Sequence, residues 1–299
     1  MSRTVVAGLD GSPESLVAAD WAAREAGLRG VPLRLVHAWD WQPYSYAPLA
    51  GTEPQRHWAE RVPREATQEL RRRHPDLRID AEQVKKQPVD ALLAAAGEAE
   101  LLVLGSRGLS GIGGFLVGSV ALSVVAHATR PVVLVRAGER EEDEHLRDAS
   151  GQPSTHSPYR DVLLGLDLAR PSDTVIEFAF DAAQRRATGL RVIHGWSLPP
   201  YYGYGATIDP RLSAELAEQQ TGALAEALLP WREKYPAVDV TAHAAVGPAA
   251  NHLVDAAAEA SLVVVGRRTR GVPVGARIGP VTHGVLHHAA APVAVVPHD

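Results

Sequence analysis

Short apolar runs alternate with longer amphipathic or Ala-rich stretches along the chain. "TVVAGL" is β-branched and apolar and predicts a strand over about 4–9, followed by an Ala-rich helix over about 13–29. A second strand is expected over 33–39. After a loop come a long polar helix over about 54–74, a strand over 77–85 and a short helix over 88–98. A fourth strand (101–105), a helix (119–128) and a last strand (131–136) complete the unit. "LLVLG" and "PVVLVR" are apolar throughout instead of alternating, which fits strands buried on both faces. Strands separated by helices predict a parallel sheet covered on both sides. In such sheets ligands sit beyond the carboxyl ends of the strands.

The pattern then starts again. "VVAGLDGS" at 5–12 resembles "VLLGLDLA" at 162–169, and "LRLVHAW" at 33–39 resembles "LRVIHGW" at 190–196. Asp10 and Asp167, His37 and His194, and Trp39 and Trp196 are each 157 positions apart. Further on, "LLVLGSRG" at 101–108 matches "LVVVGRRT" at 262–269, and "TRPVVLVR" at 129–136 matches "AAPVAVVP" at 290–297, with the offset now 161. A repeat of this size means two whole domains, not a solenoid. The expected division is a first domain over 1–138, a linker over 139–158 and a second domain over 159–299. The linker stretch is charged, then rich in Ser, Pro and Gly, and reads as exposed.

Composition narrows the function. The 299 residues are 45% hydrophobic, enough for two cores, and the formal net charge of −5 gives no basic field for nucleic acid. There is no cysteine, so disulfides, thiol catalysis and cysteine-ligated metal are excluded. No apolar run approaches the ~18 residues of a membrane span, and the N-terminus lacks a long apolar leader. The chain reads as soluble and cytoplasmic, with no membrane partner.

The unusual stretch is "LLVLGSRGLSGIGGFLVGSV", 101–120. It leaves the carboxyl end of a predicted strand and enters a helix near Gly118 and Ser119. There the first helical N–H groups lack carbonyl partners and the dipole is positive. Gly105, Gly108, Gly111, Gly113, Gly114 and Gly118 would let an anion approach the backbone, and Ser106, Ser110 and Ser119 could add hydroxyl donors. Two readings follow from composition: a phosphate cradle, or a flexible connection in which Ser119 caps a helix. It is not a Walker A loop, because Ser119 and Val120 follow Gly118 where Lys is needed. A dinucleotide fingerprint fails at Leu116, and a nucleophile elbow around Ser110 fails at Ile112. What remains is Gly105-x2-Gly108-x9-Gly118-Ser119.

That spacing, with an Asp after the first strand and the same order of elements, resembles the ATP-binding signature of the universal stress protein family over essentially both halves. The resemblance implies two Rossmann-like α/β domains of the adenine nucleotide alpha hydrolase type, each a five-stranded parallel sheet with helices on both faces. It implies ATP, with Mg2+, as the bound cofactor. By that likeness Gly8, Leu9 and Ala38 lie along the adenine, and Asp10 closes the pocket through ribose or a metal-bound water. Leu104, Gly105, Ser106, Gly108, Gly118, Ser119 and Val120 contact ribose and phosphates, with Arg107 at the rim. From the residues alone, Asp10 is equally a turn former in "LDGSPES". The family likeness further implies a nucleotide-dependent sensor or regulator in the stress response. It implies an intramolecular pseudo-dimer whose last strands meet, with a homodimer of whole chains and a protein partner to follow. The rival readings are a weak ATPase and a ligand-free interaction scaffold.

The second copy departs from the signature. In "VVVGRRTRGVPVGARIGPVTHG", Gly266 and Gly279 keep the spacing, but Thr269 replaces the second glycine and Pro280 the serine. Proline suits the first helical turn but removes an N–H donor. Arg267, Arg268, Arg270 and Arg277 add positive charge, either for phosphate or as a solvated basic loop. The second copy is expected to bind nucleotide weakly or not at all; a weak second site would use Asp167, Gly266, Arg267 and Gly279.

Other features are less specific. Trp39, Trp41, Tyr44, Tyr46, Trp196, Tyr201, Tyr202 and Tyr204 are half of the chain's aromatic residues and fall at or just after the second strand of each copy. That concentration suggests a lid or an interface, or local packing. His283 and His287 sit four apart on a predicted helix, a possible metal pair, but no nearby acid completes a site and a polar helix face is the expectation. His37 and His194, at repeated strand ends, could serve a site or pack beneath a loop. No nucleophile–base–orienter set stands out, which favours binding over turnover.

Overall fold

The computed structural model describes residues 4–38, 53–106, 117–197, 210–269 and 278–299. The chain divides into two compact units, Met1–Glu139 and Arg140–Asp299. In the first, strands β1 (Val5–Leu9), β2 (Leu33–Ala38), β3 (Ile79–Val84), β4 (Leu101–Gly105) and β5 (Val132–Val135) pair in the order β3-β2-β1-β4-β5, each pair parallel. In the second, β6 (Val162–Gly165), β7 (Leu190–Trp196), β8 (Val240–Val246), β9 (Leu262–Arg268) and β10 (Val293–His298) repeat it as β8-β7-β6-β9-β10, again parallel. Each unit is therefore the five-stranded α/β layer structure that the sequence pattern implies.

Helices cover both faces. In the first unit α1 (Pro13–Arg29) and α2 (Glu53–Arg73) lie on one side, and α3 (Pro88–Glu98) and α4 (Ser119–His127) on the other. In the second, α5 (Asp173–Arg185) and α6 (Pro210–Lys234) face α7 (Ala249–Ala257) and α8 (Pro280–His288) across the sheet. Sandwiching explains the apolar strands: Val5, Val6, Ala7, Leu101, Leu102 and Val103 are fully buried on both faces of the first sheet. Each such Val or Leu contributes about 1.5–3 kcal/mol on removal from water. The edge strand β3 is buried only where it meets the layer, at Ile79; its next four residues are exposed.

Helix ends follow local chemistry. Ser12 caps α1, its Oγ accepting from the Ser15 N–H at 3.2 Å, with Pro13 at the first helical position. Gly30 ends α1 in the left-handed region at φ 64°, which favours glycine. Next to this end, Arg29 donates from Nε to Glu25 at 2.6 Å and from Nη1 to Glu100 at 2.7 Å. Burial alone would lower the Arg29 pKa, but the two carboxylates outweigh it and hold the guanidinium charged.

The stretch 139–158 is not a bare linker. Residues 140–158 belong to the second unit. A short 3₁₀ turn over Glu141–Glu144 leads to Glu144 and His145, both buried. The His145 ring stacks on Tyr159 at 4.0 Å, and Arg160 donates to the carbonyls of His145 (2.9 Å) and Ala258 (2.7 Å). The order comes from polar contacts, which a search for apolar periodicity does not detect.

Candidate functional site

Both sheets have a switch point. From β1 the chain crosses to β2 on one side, and β4 pairs on the other; the residues just beyond β1 and β4 flank the resulting crevice. Leu9 pairs with His37 and Gly105 with Val135, so the ends of β1, β2, β4 and β5 lie at one edge of the layer. Gly8, Leu9, Asp10, Ala38, Leu104, Gly105 and Ser106 are thereby gathered at that edge. Gly118, Ser119 and Val120 begin α4 at the same edge, with Gly118 as the N-cap and Ser119 and Val120 exposed. The first-turn N–H groups of α4 have no carbonyl partner within the helix. Arg107, Gly108, Ser110, Gly111, Gly113 and Gly114 lie outside the described residues, as do the aromatic stretches 39–52 and 198–209.

The residues at this edge also serve the fold. Asp10 Oδ1 accepts from the Ser12 N–H at 2.9 Å and from the Ser12 hydroxyl, the turn chemistry of its local sequence. Ser106 was expected to offer its hydroxyl to ribose or phosphate. Instead it is buried, with Oγ donating to the Val135 carbonyl at 3.1 Å. A Cβ on Gly105 would lie 2.7 Å from the Glu14 carbonyl carbon and oxygen, so the first turn of α1 makes the close approach there. A Cβ on Gly8 would lie 2.8 Å from Leu92 of α3, and one on Gly165 would lie 2.7 Å from Leu253, the aligned residue of α7. Nδ1 of His37 and of His194 lies against the carbonyl of Leu9 (2.8 Å) or Leu166 (3.0 Å), tying the second strand of each unit to the end of the first, and His194 also lines the cavity of the second unit.

The second unit holds a cavity of about 450 Å3 at the equivalent edge. It is lined by Gly165, Leu166 and Gly195 at strand ends, by the apolar Val175 and Leu253, and by Gly279–Thr282 at the start of α8. Asp167, Arg170, Arg268 and His298 bring charged or titratable groups to it. Thr282 is committed elsewhere, its Oγ1 donating to the Gly266 carbonyl at 2.8 Å.

Three of the four residues expected for a second site, Asp167, Gly266 and Gly279, line this cavity. Arg267 does not. It is buried on β9, and alternation along the strand gives the cavity face to Gly266 and Arg268. Arg170, Gly195 and His298 belong to the site without having been singled out. Arg170 and Gly195 occupy the aligned places of Pro13 and Ala38, but nothing in the sequence marks His298, whose position depends on how far β10 runs. The His283 and His287 rings lie 4.4 Å apart, and among the described residues no group of three or more His, Cys, Asp or Glu could hold a metal ion. No described helix is long and apolar enough to cross a membrane.

The model of the Universal stress protein family matches residues 1–136 and again 158–297. The chain belongs to the universal stress protein family. A universal stress protein of Mycobacterium tuberculosis is 34% identical over 303 residues, covering 97% of this chain and 96% of its own length. One from Mycolicibacterium smegmatis is 32% identical, covering 98% of this chain and 96% of its own. Among solved structures, a universal stress protein from Archaeoglobus fulgidus superposes with a TM-score of 0.65 at 18% identity and covers all of both chains, a likeness of fold. The family match falls once on each structural unit, so the protein is a tandem universal stress protein, and the switch point in strand order recurs in both copies.

Proposed function

We propose that this universal stress protein binds adenine nucleotides and acts as a nucleotide-dependent regulator in the stress response, with ATP and Mg2+ as the ligand of the first unit. The observation that carries the reading is the cavity of about 450 Å3 at the switch point of the second sheet, bounded by a helix N-terminus and charged side chains. An open parallel sheet binds ligands at that place, and a helix start favours an anion. The first unit has the same strand order and the same helix start after β4.

In the first unit, Gly8, Leu9 and Ala38 would lie along the base and Asp10 would face the ribose or a metal-bound water. The Gly105–Gly108 and Gly118–Val120 segments, with Leu104 and Arg107 beside them, would take the phosphates. The Asp10 carboxylate, whose Oδ1 anchors the turn, is an acceptor-only group, the chemistry that a ribose hydroxyl or a hydrated cation calls for. Ser106 takes part through its position, not its hydroxyl proton. Bound Mg2+ would supply charge neutralisation between phosphate oxygens.

Native mass spectrometry of the purified full chain with Mg-ATP tests the reading. The expected result is a saturable adduct of nucleotide mass that Asp10→Asn together with Gly118→Val weakens. A chain that stays free of nucleotide at millimolar Mg-ATP overturns it.

A further inference from the structure

We infer that the second unit holds the phosphate of its nucleotide with two guanidinium groups, Arg170 and Arg268, in place of main-chain amides of a glycine loop. The inference rests on reading that cavity as a nucleotide site. Three structural departures from the first unit point the same way.

The helix after the first strand begins later. Arg170, Pro171 and Ser172 occupy the aligned places of Pro13, Glu14 and Ser15, yet α1 starts at Pro13 and α5 only at Asp173. Pro171 disfavours helical geometry at Arg170, so the chain makes a separate turn here, the Arg170 N–H donating to the Asp167 carbonyl at 3.2 Å, before α5 begins. In the first unit the corresponding turn fills the space over Gly105, with Glu14 main-chain atoms 2.7 Å from the place of a Cβ. In the second, that place over Gly266 is met by the His298 ring at 2.7 Å and by Val175 at 3.2 Å. The displaced turn brings Arg170, an exposed arginine, to the cavity wall.

The strands also run further. β4 stops at Gly105, but β9 continues past Gly266 and pairs Arg267 with Pro297 and Arg268 with His298. The Thr269 N–H closes the ladder on the His298 carbonyl at 2.6 Å, and its hydroxyl donates to Asp299 at 2.9 Å. In the second copy Arg267 and Arg268 are thus held in the ladder with β10, and the Thr269 amide is spent on it. Side-by-side residues of a parallel pair share a face, so Arg268 and His298 both reach the cavity. His298 lines the cavity beside Gly266.

Finally, α8 opens with Pro280, so its first position offers no N–H. The proline removes one main-chain donor, while Arg170, aligned with Pro13, adds a side-chain charge and Arg268 keeps the one that Arg107 carries in the first copy. Among the described residues that line the cavity are two arginines and one carboxylate, Asp167, whose Oδ1 already accepts the Ala169 N–H at 3.0 Å. The balance is positive, and arginine forks match phosphate oxygens in pairs. Asp167 is placed to take ribose hydroxyls on the opposite side.

Calorimetric titration of the full chain with ADP, adenosine and inorganic pyrophosphate tests the inference, in the natural sequence, in R170A/R268A and in R170K/R268K. Arg170 is exposed and Arg268 partly so, and unchanged thermal unfolding of the variants checks that they fold. The expected result is that one class of ADP site weakens at least ten-fold in R170A/R268A, while adenosine affinity changes less than two-fold. Pyrophosphate binding is lost, and the lysine pair recovers part of the ADP affinity. Unchanged ADP binding in R170A/R268A overturns the role of the arginines and leaves the nucleotide reading standing. Pyrophosphate binding that depends on the arginines, without any binding of ADP or adenosine, identifies a plain phosphate site and overturns the nucleotide reading. No binding of any of the three to the natural sequence overturns both.

Discussion

Nδ1 of His37 lies 2.8 Å from the carbonyl oxygen of Leu9, and Nδ1 of His194 repeats the contact with Leu166 at 3.0 Å. A carbonyl only accepts, so Nδ1 carries the hydrogen in both rings. The bond ties the second strand to the residue just before the turn acid, Asp10 or Asp167, and fixes where that acid emerges. His37→Leu keeps an apolar ring-sized side chain but removes the donor. It is expected to lower the stability of the first unit by about 1–2 kcal/mol, measured by urea unfolding. No loss would mean that the contact is incidental.

The two aligned glycines, Gly105 and Gly266, should respond differently to alanine. At Gly105 the new methyl meets main-chain atoms of Glu14 at 2.7 Å, which cannot move without shifting α1. At Gly266 it meets the end of the His298 ring, which can swing aside. Gly105→Ala should therefore cost about 1–3 kcal/mol, and Gly266→Ala distinctly less. Thermal unfolding of the two variants checks the order, and equal losses would contradict it.

The sheet and its helices were legible in the sequence because the signals were local. Apolar β-branched runs placed β1, β2, β4 and β5 within one or two residues of their observed ends, and Gly118 before Ser119 located the start of α4. The repeated Asp and His placed the first and second strand ends of both copies. Less legible was whatever depends on packing across the layer. Gly105 looked like a residue kept small for a ligand, yet α1 approaches it. Arg267 looked like the charged group of the second site, but strand alternation turns it away in favour of Arg268. His298 could be found only by knowing that β10 outruns β5. A hint did exist at Arg170, since the following Pro171 delays the helix there. The 139–158 stretch misled because its ordering contacts are hydrogen bonds made by charged and small residues.

The Arg29 cluster offers a stability test away from the site. Arg29 and Glu25 are almost completely buried, with side-chain exposures of 2% and 0%. Removing the carboxylate leaves a buried guanidinium with only part of its compensation. Glu25→Ala is expected to destabilise the first unit by about 3–5 kcal/mol, whereas Arg73→Ala, at an exposed ion pair with Asp20 and Glu69, should cost under about 1 kcal/mol. Chemical denaturation of both variants reads the difference.

Asp148 supplies a pH prediction. The Ser150 hydroxyl and the Gln152, Ser150 and Gly151 main chain hold its carboxyl below the usual aspartate range. A depressed carboxylate pKa adds stability that is present above the unfolded value, about 3.9, and is lost as pH falls through the folded value. The 148–152 turn should therefore loosen only in acid below the normal aspartate range. A carboxyl-carbon NMR titration should give Asp148 a pKa lower than that of an aspartate in an unstructured peptide; an equal or higher value would contradict the hydrogen-bonded turn.

Nucleotide bound as proposed, at the carboxyl edges of both sheets, should protect those edges from exchange. Hydrogen–deuterium exchange of the full chain with and without saturating Mg-ATP tests this most directly. The account predicts slowed exchange concentrated in residues 8–12, 104–106 and 118–122, and in 165–170, 264–269 and 279–283. Exchange unchanged in all of these segments, or slowed only in helices remote from the strand ends, would contradict it.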